Sequence, residues 1–115
     1  MIPEFDKDHY QRLKALAKSY NARTLSYITP SAYAGINYNG FTIAYSPATE
    51  RDDNRMIEVA VSYCAPEDEF KKKIGKYHAL RKFFEENNFI HIPLGEVYRN
   101  SPDDLEYFLE QMFNV

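Results

Sequence analysis

Residues 55–64, RMIEVAVSYC, alternate between larger apolar side chains and smaller or polar ones. Successive side chains of a strand point to opposite faces. Ile57, Val59, Val61 and Tyr63 therefore share one face, and Glu58, Ala60, Ser62 and Cys64 the other. A strand this long with one strongly apolar face needs a sheet beside it and a layer packed on it. Flanking segments supply strands. Residues 24–29 (TLSYIT) read as one, ending before Pro30, and 89–93 (FIHIP) as another. Within 35–46, INY and FTIAY flank Asn39-Gly40, a strong hairpin signal because a type I′ turn needs positive φ at both central residues. Residues 47–54 read as a polar, mostly charged loop.

Helical periodicity governs the rest. Over 5–20, Phe5, His9, Leu13, Leu16, Ala17 and Tyr20 fall within one arc, with Lys7, Gln11, Lys14 and Lys18 outside it and Asn21 as the stop. A second helix is expected from Pro66 to about Glu86, with Glu67, Asp68 and Glu69 at its positive end. Its buried stripe is Phe70, Ile74, Tyr77, Leu80 and Phe84, and Asn87-Asn88 end it. Ser101-Pro102-Asp103-Asp104 opens a third helix that buries Leu105, Phe108, Leu109 and Met112. The order is α-β-β-β-β-α-β-α. This predicts an α+β fold: a mostly antiparallel four- to five-stranded sheet with helices packed on one face, residues 1–115 forming a single domain. Strand 55–64, the long helix and strand 89–93 are candidates for a right-handed crossover.

Composition removes other classes. A length of 115 residues, 44% hydrophobic, suits one core. Cys64 is the only cysteine, so no internal disulfide forms. Ten tyrosines and eight phenylalanines with a net charge of −3 argue against disorder. No apolar run reaches the roughly 18 residues of a membrane span, and MIPEFDKDHY lacks a signal-peptide stretch. A cytoplasmic protein without a membrane partner is expected.

Charge is unevenly distributed. Residues 1–23 sum to +2, 24–49 carry no charge, 50–69 sum to −5, 70–86 to +4 and 87–115 to −4. Such a chain offers a basic patch and two acidic ones.

Nothing in the chain spells catalysis. His9, His78 and His91 lie on different elements, and neither a Cys–His pair nor a metal-ligand spacing is evident. Cys64 reads as a buried, inert thiol. There is no Gly-rich phosphate loop, and only four glycines are present. Neither enzyme activity, metal nor cofactor is expected. Binding is the better expectation, at two places. On the long helix Lys71, Gly75, His78 and Lys82 are spaced 4, 3 and 4 and stack in one stripe flanked by Lys72 and Ala79. Gly75 costs up to about 1 kcal/mol against alanine in a helix. Either it lets the helix pack closely within its own domain, or it leaves a flat basic landing site for a phosphate backbone or acidic partner. Lys71, Lys72, Lys76 and Lys82 would serve nucleic acid. Arg81 interrupts the apolar stripe and is expected to pair internally with Glu58 or an acid of the last helix. In the uncharged segment, Tyr45 belongs with Phe41 and Ile43 in the core. Tyr27, Tyr33 and Tyr38 are candidate binding aromatics, since tyrosine gives large contact area at low entropic cost.

Two resemblances follow from these residues. Ser62, Cys64, Asp68, Phe70, Lys72-Lys73, Gly75-Lys76, Ala79 and then Arg81 or Lys82 resemble a pattern in small bacteriophage accessory proteins. That covers about a fifth of the chain and departs at Glu67 and Arg81. It implies a host-takeover or counter-defence setting and no chemistry. Helix, three strands, helix, with Lys71-Lys72-Lys73 and Lys76 opening the second helix, is similar to double-stranded RNA-binding domains, where such lysines contact phosphates. The Gly-Pro-x-His loop of that family is absent. The leading expectation is a non-catalytic accessory protein that binds and modulates or inhibits a host or defence protein. Nucleic-acid binding through residues 70–86 is the alternative, and capture of a small signalling nucleotide the second. If FIHIP is a sheet edge, it or the last helix offers a route to a homo-oligomer.

Overall fold

The computed structural model describes residues 4–28, 31–33, 36–51, 54–65 and 69–113, with backbone only for 31–33, 36–38 and 51. Its sheet is built around β6 (Asn54–Tyr63), the alternating segment. β4 (Phe41–Tyr45) pairs antiparallel with one half of β6, Tyr45 opposite Val59. β5 (Thr49–Arg51) pairs with the other end, Thr49 opposite Met56. Extending the β4 register would set Thr49 opposite Arg55, so 46–48 hold one extra residue, a bulge. Part of the expected polar loop is thus a strand. β7 (Ile90–Pro93) runs antiparallel on the other edge of β6, Ile92 opposite Ile57. β1 (Arg23–Tyr27) runs antiparallel on the outer edge of β4. β2 (Ser31–Tyr33) and β3 (Ile36–Tyr38) form a separate two-stranded ribbon.

The α+β class and the antiparallel sheet are as expected, and three details differ. β3 and β4 do not form a hairpin about Asn39-Gly40; β3 pairs with β2 instead. Both residues are drawn into the main ladder, Asn39 N–H donating to the Cys64 carbonyl at 3.3 Å and Cys64 N–H to the Gly40 carbonyl at 2.9 Å. Gly40 is needed for close approach rather than positive φ, since a Cβ there would lie 2.6 Å from the Phe70 ring. Secondly, β6 and β7 are antiparallel, so no crossover of parallel strands joins them.

Thirdly, the helices do not share one face. α1 (Lys7–Ser19) and α2 (Lys72–Phe84) cover the side to which Ala44 and Ala60 point, with Tyr10, Leu13, Tyr77 and Leu80 in their core. α3 (Pro102–Phe113) covers the other side, where Leu105, Phe108 and Leu109 pack with Phe41, Ile43, Ile57 and Val59. Ile43 and Ile57 are fully buried, each worth about 1.5–3 kcal/mol in area removed from water. Alternation in β4 and β6 divides the sheet into a face of small residues, which lets α2 approach closely, and a face of large ones, which takes α3.

The helix stops are as read from the chain. Asn21 and Asn87 adopt the left-handed conformation at φ 56° and 49°, and the following Ala22 and Asn88 N–H groups donate back to Ala17 and Lys82 carbonyls. Among the described residues no helix is long and apolar enough to cross a membrane.

Candidate functional site

α2 begins later than its sequence suggests. Lys71 is extended, at φ −121° and ψ 120°, and occupies the N-cap position without a side-chain cap. Residues 66–68 lie outside the described residues; Glu69 and Phe70 precede the helix. Phe70 is committed to the surface of Gly40, which holds the chain extended until Lys71. No acid therefore occupies the first turn. Lys71, Lys72 and Lys73 stand exposed there instead, three cations at the positive end of the helix dipole with uncapped N–H groups beside them. The arrangement costs stability.

The stripe behind these lysines is not a landing site. Gly75 faces the sheet so closely that a Cβ there would collide with the Thr42 hydroxyl. Ala79 is fully buried. Lys82 donates to the Val61 carbonyl at 3.1 Å, the lysine stem lying along the sheet and its ammonium at the backbone. His78 is half-buried. Burial first, then Arg81 and Lys82, hold its pKa below the usual histidine value, with Glu86 opposing. The expected set thus divides: Lys71 and Lys72 are exposed, Gly75 and Lys82 serve helix-on-sheet packing, His78 is half-buried beside a small cavity, and Lys76 turns elsewhere.

Lys76 turns into an open groove of ≈ 710 Å³ between α1, the start of β1, α2 and the turn before α3. Lys14, Lys18 and Arg23 also line it, and among the described residues no Asp or Glu does. Lys14 stands 5.0 Å from the centre of the Tyr10 ring. Arg23 lies opposite Tyr45 in the β1–β4 pair. Burial raises the pKa of Tyr45, with Arg23 working against the rise and Glu106 with it; burial alone raises that of Tyr10. Asn100 fixes the lower lip, accepting from Ala48 N–H at 2.8 Å and donating to its carbonyl at 2.9 Å.

Charge is sorted by layer. α2 carries five basic and no acidic residues, and α3 four acidic and no basic ones. Since the two helices lie on opposite faces of the sheet, the acidic tail does not neutralise the basic helix, and among the described residues no ion pair joins them. Arg81 pairs within its own helical segment, with Glu85 at 3.3 Å and Glu86 at 3.8 Å, rather than with Glu58 or α3. His9, which had no evident partner in the chain, bridges α1 to α2. Its Nδ1 meets the Tyr77 hydroxyl at 2.9 Å and its Nε2 the Glu85 carboxylate at 2.7 Å.

Of the candidate tyrosines, Tyr27 belongs to the α3 side of the core, its ring 5.3 Å from that of Phe41. Its hydroxyl is buried without a hydrogen-bond partner. Burial, then the carboxylates of Glu110 and Glu106, push its pKa up to about 12. It is not an exposed binding aromatic. The side chains of Tyr33 and Tyr38 lie outside the described residues. A smaller cavity of ≈ 320 Å³ between the end of β6 and the start of α2 brings Cys64 and His78 to one place. Cys64 is half-buried rather than sealed in the core, with Sγ 3.6 Å from the Ala65 carbonyl.

In comparison with known proteins, the chain matches no family, no curated protein and no solved structure. Lys14, Lys18 and Arg23 were not singled out from the sequence. The available signal was Lys14 and Lys18 at i, i+4 on the polar face of the first helix. Their convergence with Lys76 depends on tertiary packing.

Proposed function

We propose that the protein is a non-catalytic binding protein that engages a double-helical phosphate backbone, with duplex RNA the favoured form. The observation that carries this reading is the exposed, uncapped trio Lys71, Lys72 and Lys73 at the N-terminus of α2. An anion there gains from three ammonium groups and the helix dipole together. Supporting it, α1, β1, β4, β6 and α2 form a helix–three strands–helix unit with both helices on one sheet face, the order on which the likeness to double-stranded RNA-binding domains rests. The acids of α3 lie behind the sheet, away from that surface.

Three phosphate contacts predict a salt slope near −2.7, so affinity for duplex should fall roughly fortyfold between about 50 and 200 mM salt. Fluorescence anisotropy with a labelled RNA duplex longer than about 16 base pairs measures this, with DNA duplex as the second arm. Lys71→Glu, Lys72→Glu and Lys73→Glu combined should abolish binding and leave thermal stability unchanged or raised. Absence of wild-type binding at about 50 mM salt with either duplex refutes the proposal.

A second reading has its own observation. Val97 is 86% and Tyr107, on α3, 58% exposed, and each follows a glutamate in the chain, apolar surface beside carboxylates that suits a basic host or defence protein. Val97→Asp with Tyr107→Ser should abolish co-purification of such a partner without affecting duplex binding. A phage accessory role, which the Ser62–Lys82 pattern implies, accommodates either target.

A further inference from the structure

We propose that the groove walled by α1, β1 and α2 is a second, separate binding site, for a nucleoside diphosphate or triphosphate, with more charge than one terminal phosphate carries, taken as the metal-free anion. The proposal stands apart from the duplex reading, because Lys71, Lys72 and Lys73 do not line this groove.

Charge selects the ligand class. Lys14, Lys18, Arg23 and Lys76 present four cations from three different elements. One terminal phosphate carries about two negative charges and would leave roughly half of them uncompensated. A terminal diphosphate or triphosphate brings the additional charge. Its metal state follows from the lining. Magnesium is held by carboxylates together with substrate phosphates, and among the described residues the groove offers none. Ammonium and guanidinium groups supply the counter-charge directly, arginine by a two-pronged contact. A magnesium-chelated phosphate would bring a cation into a wall that is already cationic.

Size and rigidity agree with a nucleotide. A groove of ≈ 710 Å³ lies in the upper part of the roughly 300–1,000 Å³ range of small-molecule sites. Leu80, Leu105 and Pro47 give it an apolar wall for a base. Parts of the lining are held in place beforehand. Lys14 rests over the Tyr10 ring. The left-handed turn at Asn21 joins the end of α1, which carries Lys18, to β1 at Arg23, and both residues line the groove. Two hydrogen bonds to Ala48 lock Asn100. That share of the ordering is done before a ligand binds.

Isothermal titration calorimetry tests this with AMP, ADP, ATP and a cyclic dinucleotide, in EDTA and again with excess magnesium. ADP and ATP should bind at least about tenfold more tightly than AMP or the cyclic dinucleotide, whose two phosphodiesters carry only one charge each, and magnesium should weaken ADP and ATP. Lys18→Glu with Arg23→Glu, both exposed positions, should cost a further tenfold or more. Lys72→Glu with Lys73→Glu should leave nucleotide affinity intact while weakening duplex. The proposal is overturned if wild-type protein binds none of these ligands, if AMP binds equally well, or if magnesium is required. Nucleotide binding insensitive to Lys18→Glu with Arg23→Glu also overturns it. If those two substitutions abolish duplex binding and no nucleotide binds, the groove belongs to the duplex surface instead.

Discussion

Replacing Gly75 with alanine should destabilise the protein, although alanine is the better helix former. In an exposed helix the change would gain up to about 1 kcal/mol. Here the added methyl meets the Thr42 side chain and, at 3.4 Å, the Phe70 ring. Thr42 has little room to yield: it is fully buried, and its hydroxyl is hydrogen-bonded to that of Ser26 at 3.1 Å. Overpacking of this kind costs about 1–3 kcal/mol, so the net loss should be near 1 kcal/mol, a fall in Tm of about 4 °C. In a Thr42→Ala background the collision is gone and the same substitution should stabilise by up to about 1 kcal/mol. Urea unfolding followed by far-UV circular dichroism for both single variants and the double gives the coupling energy, expected at about 1–3 kcal/mol. A stabilising effect of Gly75→Ala in the otherwise native chain would refute the reasoning. It would return the Lys71–Gly75–His78–Lys82 stripe to solvent.

Three other perturbations have defined outcomes. His9→Ala strips the Tyr77 hydroxyl, in a residue only 2% exposed, of its partner on α1; chemical denaturation should show a loss of about 1–3 kcal/mol, most of it recovered by adding Tyr77→Phe. His78 has a folded pKa below the ordinary histidine value of 6.5, so the unfolded chain binds more protons in that window and stability falls as pH drops below about 6.5. Thermal melts from pH 8 to 5 should be flatter for His78→Gln. Tyr27 has the opposite sense: with a folded pKa of about 12 against an ordinary tyrosine value of 10.0, stability is lost as pH rises between those values. Tyr27→Phe should remove that loss and cost little at neutral pH, because the buried hydroxyl has no hydrogen bond to give up.

The parts of this fold that depend on neighbouring residues were legible in the chain. Alternation over 55–64 located β6 and divided its faces correctly, and Asn21 and Asn87 ended their helices for the conformational reason given. What was misread depended on distant partners. Asn39-Gly40 carries a strong turn signal, yet Phe70 occupies the space over Gly40 and Cys64 claims the backbone of both residues. The same engagement of Phe70 delays α2 to Lys72 and exchanges an acidic first turn for a basic one. Placement of α3 on the second face could not be read locally, because both faces of β6 contain buried residues. The candidate site was half legible. Lys71 and Lys72 stood out as a run, whereas a groove assembled from α1, β1 and α2 has no contiguous signature, and Gly75 marked a packing contact rather than a ligand.

Sorting charge by layer gives the molecule a permanent electric dipole across its sheet, whatever its net −3. Opposite helix layers flanking a sheet lie about 20 Å apart, and the Debye length at physiological ionic strength is about 8 Å. A polyanion arriving at α1 and α2 therefore meets their cations while the carboxylates of α3 are screened from it. At about 0.01 M salt the Debye length grows to about 30 Å, and those carboxylates enter the interaction. Association with an anion should accelerate as salt is lowered and then level off, since below that point the far layer begins to repel what the near layer attracts.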